Sequence, residues 1–184
     1  MESDTARIAL GLRQRDLAVL EALVEQYQYR LVRYLVSLLG RRDGVDDLVQ
    51  ETWLRVLERG NSYDGRSRFE PWLFRVARNL AIDATRKQTP FSLDSNEGEA
   101  ARSSSASGEP SPYALAARTQ DAERLAHSLD TLDPVFREAL TLRFQEDLSL
   151  QEISAIVGAP VSTIASRIYR GLAALRPQFE EGRA

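Results

Sequence analysis

Residues 45–88 contain two stretches of helical hydrophobic periodicity whose polar sides have opposite charge. From Val45 to Glu58, apolar residues recur every three or four positions, which predicts one buried helical face. The opposite face of this helix is mostly acidic and carries Asp46, Asp47, Gln50, Glu51 and Glu58. The second helix follows a polar loop, and its polar face carries Arg75, Arg78, Asn79, Arg86 and Lys87. This pattern is typical of a protein that contacts two different partners through adjacent surfaces.

Two further helices are predicted upstream of this pair. A short helix runs from Asp4 to Leu12, and a longer one begins near Asp16 and ends at Gly40, because glycine is favoured just after a helix C-terminus. Asp43 is the expected N-cap of the acidic helix. We therefore expect residues 1–88 to form a small all-α domain.

Residues 89–112 show no hydrophobic periodicity. They are rich in serine and contain three prolines, and they carry four acidic residues against the single Arg102. Such a segment has too little apolar surface to order itself, so it is predicted to be a flexible acidic linker. The alternative is a long surface loop within one domain.

The C-terminal part, residues 113–184, is predicted to be a second helical domain. A helix covers about 113–129, and another begins at Asp133-Pro134 and runs to about Phe144. Ser149 and Glu152 have the spacing of a capping box, which marks the start of a third helix. We predict that this third helix and the next one bury the apolar residues Ile153, Ile156, Val157, Ile164, Ile168 and Leu172.

Two short helices separated by a glycine-containing turn form the pattern of a helix-turn-helix. The outward residues of the second helix are hydrogen-bonding or cationic, as contact with bases and phosphates requires, and they are Ser162, Thr163, Ser166, Arg167 and Arg170. The alternative is a plain helical hairpin with a solvated polar face. The absence of acidic residues from 161 to 177 favours DNA contact.

The net charge of −3, taken alone, argues against DNA binding, but the charges are segregated along the chain. Residues 66–88 have six basic residues against two acids, a local charge of +4, and residues 161–177 have three arginines and no acid, a local charge of +3. We therefore expect the free chain to bind DNA weakly, and to bind it better when a partner offsets the acidic parts.

Composition excludes several other classes of function. The chain has no cysteine and one histidine, His127, which is interpreted as a packing or solvated residue, so no metal site, cofactor or thiol chemistry is predicted. No apolar run approaches the roughly 20 residues that span a bilayer, and no secretory signal is visible, so a cytoplasmic protein without direct membrane insertion is expected. The carboxylates form no recognisable catalytic or metal-binding cluster, which disfavours an enzyme or a small-molecule substrate.

Three segments in a fixed order resemble the extracytoplasmic-function (ECF) group of bacterial RNA polymerase sigma factors, in the sigma-70 family. Residues 47–54, DLVQETWL, are similar to the segment that docks on the polymerase clamp helices. Residues 69–83, FEPWLFRVARNLAID, are similar to the segment that melts and reads the −10 element. Residues 148–170 are similar to the helix-turn-helix that reads the −35 element.

The resemblance implies three sets of binding residues, supported by the chemistry of their side chains. The polymerase-binding set is Asp47, Gln50, Glu51 and Leu54. The set for the single-stranded −10 element is Asn61, Ser62, Tyr63, Arg66, Arg68, Arg75, Arg78, Asn79, Arg86 and Lys87. The set for duplex −35 DNA comprises the five outward residues of the second helix of the helix-turn-helix.

One position within these sets, Tyr63, and one beside them, Ala165, need separate interpretation. Tyr63 is either a platform on which a base stacks or an aromatic that anchors its loop. Ala165 stands where the family commonly has a lysine or arginine, which removes one expected groove contact.

The resemblance implies a transcription initiation factor that binds core RNA polymerase and promoter DNA, is not itself an enzyme, and is regulated by an anti-sigma factor. The alternative is a polymerase-independent helix-turn-helix regulator whose N-terminal domain senses a ligand or dimerises. The first interpretation predicts core-dependent initiation, and the second predicts sequence-specific duplex binding without polymerase.

Overall fold

The computed structural model describes residues 2–88, 128–129 and 131–180. The predicted linker, His127 and most of the helix expected over 113–129 lie outside the described residues. The described helices are α1 (Glu2–Gln14), α2 (Leu17–Leu39), α3 (Val45–Arg59), α4 (Phe69–Gln88), α5 (Pro134–Leu140), α6 (Leu150–Val157) and α7 (Val161–Glu180). The all-α fold, with an N-terminal helical bundle and a C-terminal helix-turn-helix, is confirmed.

The ends of α2 follow from local chemistry. The carboxylate of Asp16 accepts hydrogen bonds from the backbone N–H groups of Ala18 (2.9 Å) and Val19 (3.4 Å), which otherwise lack partners in the first turn. Gly40 ends the helix in the left-handed conformation, with φ of 66°. Both boundaries were predicted.

The N-cap predicted for α3 is wrong by one residue. Gly44 occupies that position with φ of 76°, and no side chain caps the helix. Asp43 instead pairs with Arg41 at 3.4 Å. The left-handed turn at this point requires glycine, while Asp46 and Asp47 in the first turn provide the favourable negative charge at the helix N-terminus.

The helix-turn-helix forms as predicted at its first helix and turn. Ser149 and Glu152 make the reciprocal capping box, in which the backbone N–H of Ser149 donates to the Glu152 carboxylate at 2.8 Å. Gly158 makes the turn with φ of 74°. Before α6, helix α5 continues into a π-helical turn over Thr141–Gln145.

Leu172 was predicted to face inward, and this prediction is wrong. The residue is 46% exposed. The neighbouring Gly171 faces the core instead, and Leu175 is buried one turn further on. A Cβ atom at Gly171 would lie 2.9 Å from Cδ1 of Leu140, so the missing side chain allows α7 to approach α5 closely.

The N-terminal and C-terminal helices share one hydrophobic core. From the N-terminal bundle it includes Leu31, Tyr34, Leu35, Val45, Val49, Phe74, Ala77 and Ala81, and from the C-terminal helices Leu142, Leu148, Ile153, Ile156 and Ile164. The packing brings α6 against α4 and α5 against α2. A second cluster, within the N-terminal bundle, holds Tyr63, Phe69 and Trp72. The two units are therefore closed on each other.

Replacing Leu142 by alanine should destabilise both units together. Leu142 is fully buried in the shared core, so we expect a loss of about 2–5 kcal/mol in the free energy of unfolding. Urea denaturation followed by circular dichroism should show one cooperative transition at a lower midpoint. The control is Leu172→Ala at the exposed position, with an expected effect below about 1 kcal/mol. Separate transitions of the two units would contradict a shared core.

Candidate nucleic-acid and partner interfaces

The acidic face of α3 is open to solvent. Asp47 and Gln50 are exposed, and Leu54 is 54% exposed beside them. Glu51 is half-buried, and it accepts a hydrogen bond from Arg55 Nε at 2.9 Å. The opposite side of the helix is buried through Val45, Val49, Thr52 and Val56. The four residues expected to bind a basic partner thus lie on one accessible surface that combines negative charge with an apolar side chain.

The loop between α3 and α4 presents polar side chains around a buried anchor. Asn61 and Ser62 lie in an exposed 3₁₀ turn, Gly60–Ser62, and Arg66 is also exposed. Arg68 is partly buried: its guanidinium pairs with Glu70 at 3.3 Å and donates to the carbonyl of Asp147 at 3.1 Å. This last contact joins the loop to the C-terminal unit.

Tyr63 is the anchor of this loop. Its side chain is 1% exposed, and its ring packs edge-on against Phe69 at a centroid distance of 5.3 Å. Its hydroxyl donates to the carbonyl of Ser67 at 2.6 Å. Burial, followed by the negative charges of Glu70 and Asp64, raises the pKa of Tyr63 to about 12. The structure thus favours the loop-anchoring interpretation, and the ring is not available for a base to stack on in this conformation.

The basic face of α4 is only partly open. Arg75, Asn79 and Arg86 are exposed, whereas nothing is described for the side chain of Lys87. Arg78 is 18% exposed, and its Nε lies 2.7 Å from Oε1 of Glu138 on α5. Arg78 is therefore paired with the C-terminal unit and is not presented to solvent as the sequence pattern suggests. The reason is tertiary: Glu138 of α5 reaches this part of α4.

The outward face of α7 lies at the surface. Ser162, Ser166 and Arg170 are exposed, and Thr163 and Arg167 are partly buried. Together with Val135 and Phe136 of α5, these five side chains line an open surface cavity of about 500 Å³. Ala165 is exposed on the same helix and adds no hydrogen-bonding group. The residues predicted to read DNA are thus brought together on the first two turns of α7 and just beyond.

The sequence analysis did not single out four charged residues at the centre of the junction between the units: Arg30, Arg33, Glu138 and Glu146. Arg30 and Arg33 of α2 reach Glu146, and Arg78 reaches Glu138. The sequence carried a weak signal for them, because Arg30 and Arg33 interrupt the apolar stretch around Leu31 and Tyr34. Arg30 and Arg33 lie 116 and 113 positions from Glu146, and Arg78 lies 60 positions from Glu138, so no local pattern could pair them.

Within the described residues, no group of three or more histidine, aspartate or glutamate side chains is placed to hold a metal ion. In the same part of the chain, every helix is too short or too polar to cross a bilayer.

Two family profiles match the chain. Sigma-70 region 2 matches residues 23–91, and sigma-70 region 4 matches residues 122–175. The ECF RNA polymerase sigma-E factor of Salmonella typhimurium is 34% identical over 165 residues, covering 87% of this chain and 86% of that protein. The chain belongs to the ECF group of the sigma-70 family. This is a family of transcription initiation factors that are not themselves enzymes.

Other relatives agree with this assignment. The ECF sigma factor SigW of Bacillus subtilis is 29% identical over 164 residues, covering 86% of this chain and 88% of that protein. The structure of CnrH in complex with the cytosolic domain of CnrY has a TM-score of 0.67 at 24% identity, covering 97% of this chain and 99% of CnrH. The sigma factor RpoE from Bartonella quintana, solved with the anti-sigma factor NepR, has a TM-score of 0.65 at 23% identity, covering 87% and 96% of the two chains. These two structures show the same fold.

Glu70 should make the stability of the closed chain depend on pH. Burial alone would raise its pKa, but hydrogen bonds from its own backbone N–H and from Arg68, with the charges of Arg68 and Arg30, hold the pKa below the ordinary value of 4.5. A lowered carboxyl pKa stabilises the folded state above the unfolded pKa, and this stabilisation is lost as the pH falls through the folded value.

Glu70→Gln should therefore cost about 1 kcal/mol at neutral pH, and the difference from wild type should shrink as the pH falls towards about 3. Urea denaturation across this pH range measures it. The control is Glu21→Gln, at an exposed position on α2. A difference that stayed constant or grew in acid would show that the ion pairs of Glu70 do not stabilise the fold.

Proposed function

We propose that this ECF sigma factor binds bacterial core RNA polymerase in the cytoplasm and directs it to promoters. In this proposal the exposed face of α3 docks on polymerase, the α3–α4 loop and α4 capture the melted −10 strand, and α7 reads the −35 duplex. The observation that carries it is the placement of three distinct surfaces of suitable chemistry within the matched sigma regions.

Docking on polymerase is supported by charge and exposure together. The carboxylates of Asp47 and Glu51 suit a basic coiled coil, and such complementarity guides both association and orientation. Leu54 adds a half-exposed apolar side chain at the same surface, where it can be buried by the partner as an anchor.

Capture of the −10 strand is supported by the open polar groups around the loop. The side chains of Asn61 and Ser62 can hydrogen-bond to base edges, and Arg75 and Arg86 can neutralise phosphates along the strand. Since Tyr63 is buried, base recognition in this proposal relies on hydrogen bonds from the loop.

Reading of the −35 element is supported by the exposed start of α7. Short hydroxyl side chains at Ser162 and Ser166 allow the helix to approach the groove closely, and Arg170 can contact either a guanine edge or a phosphate. The lack of acidic residues from 161 to 177 favours approach to DNA.

Regulation by an anti-sigma factor is also part of the proposal. Two proteins of the same fold, CnrH and the Bartonella quintana RpoE, have been solved in complex with CnrY and with the anti-sigma factor NepR. Similar packing of two sigma units in this chain would present a comparable surface to such a regulator.

Run-off transcription with core RNA polymerase and a library of promoters from the same genome tests the function. We expect initiation at a defined subset of promoters only when the protein is added. Sequence-specific duplex binding without polymerase, together with no initiation at any promoter, would instead support a polymerase-independent regulator.

Replacing Asp47 and Glu51 together by alanine should weaken binding to core polymerase by about tenfold or more, because two charges at a complementary interface are lost. Surface plasmon resonance with immobilised core measures the affinity. The control is Glu21→Ala with Glu25→Ala, which removes two exposed acids of α2 and gives the same net charge. Unchanged core affinity of the α3 variant would show that the docking surface lies elsewhere.

A further inference from the structure

A row of polar side chains on α2 faces the C-terminal unit at the junction. Ser37 lies 2.7 Å from Thr141, measured between their side-chain oxygens, and Tyr34, Arg33 and Arg30 follow towards the N-terminus of the helix. Each of these three donates to a carboxylate of the C-terminal unit. The closed arrangement is thus held by specific hydrogen bonds in addition to the shared apolar core.

The Glu138 carboxylate is nearly completely enclosed, with its side chain 4% exposed. Oε1 accepts hydrogen bonds from Arg78 Nε at 2.7 Å and from the Tyr34 hydroxyl at 2.9 Å, and Oε2 lies 3.4 Å from Arg78 Nη2. Arg78 thereby meets a two-oxygen anion through its planar fork, the geometry with which arginine also binds phosphate.

The Glu146 side chain is fully buried and bridges two arginines of α2. Arg30 Nε lies 2.8 Å from Oε2, and Arg33 Nη2 lies 2.6 Å from Oε1. Glu70 is the other acid paired with Arg30, at the longer distance of 3.7 Å, and it is shared with Arg68. Without the C-terminal unit, this face of the bundle would carry a clear positive excess.

We propose that Arg30, Arg33 and Arg78 form a binding site for the phosphates of single-stranded promoter DNA, and that Glu138 and Glu146 occupy this site in the closed chain. The closed state then prevents DNA binding by internal competition, and separation of the two units exposes the site. This inference rests on the proposed function, because it adds Arg30 and Arg33 to the surface that holds the melted strand.

The surroundings of the three arginines suit a single strand better than a duplex. Tyr34 and Phe74 pack edge-on at 5.0 Å in the same junction, and the guanidinium of Arg30 lies 5.9 Å from the Phe74 ring. Both rings are fully buried in the closed chain, so a base can meet them only after the two units separate. Cations that follow a backbone beside aromatic rings are the usual means of holding unpaired nucleotides. The carboxylates of Glu138 and Glu146 carry the same charge sign as phosphate and use the same donors, so the two ligands exclude each other.

The same competition gives a physical reason for the weak DNA binding that we expect of the free chain despite its local charges of +4 and +3. Three of its arginines are neutralised internally at the junction. The face of α7 stays open, so closure masks the site for the melted strand while leaving the −35 surface accessible.

A reversible disulfide across the junction tests whether closure of the two units inhibits DNA binding. The natural chain has no cysteine, so Ser37→Cys with Thr141→Cys introduces a single pair across the junction. The oxidised protein should bind a short fluorescein-labelled single-stranded oligonucleotide at least about tenfold more weakly than the same protein after reduction. It should also lose core-dependent run-off activity until it is reduced, and each single-cysteine variant is the control. Equal binding and activity in both redox states, or cysteines that cannot be oxidised to a disulfide, would overturn the proposal.

A set of matched variants tests whether the arginines themselves bind DNA. Glu146→Gln removes the internal competitor and should raise oligonucleotide affinity by about tenfold, measured by fluorescence anisotropy. Adding Arg30→Gln and Arg33→Gln should abolish this gain. Adding Arg13→Gln and Arg59→Gln instead, at two exposed positions, gives the same net charge and should preserve the gain. Equal loss in both triple variants would show a general charge effect and overturn the site.

These experiments distinguish failure of the junction site from failure of the proposed function. If the wild-type chain supports run-off transcription but the locked and matched variants behave as their controls, the junction site is wrong and the sigma-factor function stands. If wild type fails to initiate with core polymerase, the function itself fails, whatever the oligonucleotide data show.

Discussion

The closed structure depends on two carboxylates that are almost completely removed from water. Burying a charged group costs several kcal/mol unless it is paired and hydrogen-bonded, so Glu138 and Glu146 can be tolerated only beside Arg78 and the arginine pair of α2. Apolar side chains can pack between the units in more than one register, whereas these ion pairs form only when both groups are at the correct distance. The ion pairs therefore select one arrangement of the C-terminal helices on the N-terminal bundle.

This arrangement determines which surfaces can meet a partner. The acidic face of α3 and the outward face of α7 lie away from the junction and stay accessible. Arg78 lies within it and is covered, and Arg68 is drawn towards it through the carbonyl of Asp147. In this state the proposed polymerase and −35 surfaces are accessible, while part of the proposed −10 surface is occupied. Under the proposed function, separation of the two units would uncover this part of the −10 surface and so control promoter binding.

Local rules predicted much of the fold because their energetics are local. The Asp16 cap, the Ser149–Glu152 capping box and the turn at Gly158 each depend on residues within a few positions of one another. Both wrong predictions concern a residue next to a glycine whose backbone conformation or missing side chain decides the local packing. Gly44 and not Asp43 starts α3, because the turn needs a positive φ, and Leu172 is displaced from the core because Gly171 lets α7 approach α5.

The sequence by itself determined the helices, the helix-turn-helix, the family and the segregation of charge. Periodicity, capping residues and the order of the motifs can all be read along one chain. Only the tertiary structure decided that Tyr63 anchors its loop and that Arg78 is paired with Glu138. The physical reason is sequence separation: the partners of Arg30, Arg33 and Arg78 in the C-terminal unit lie 60 to 116 positions away. A guanidinium on a polar helical face looks the same in the sequence whether DNA or a buried carboxylate of the same chain will neutralise it.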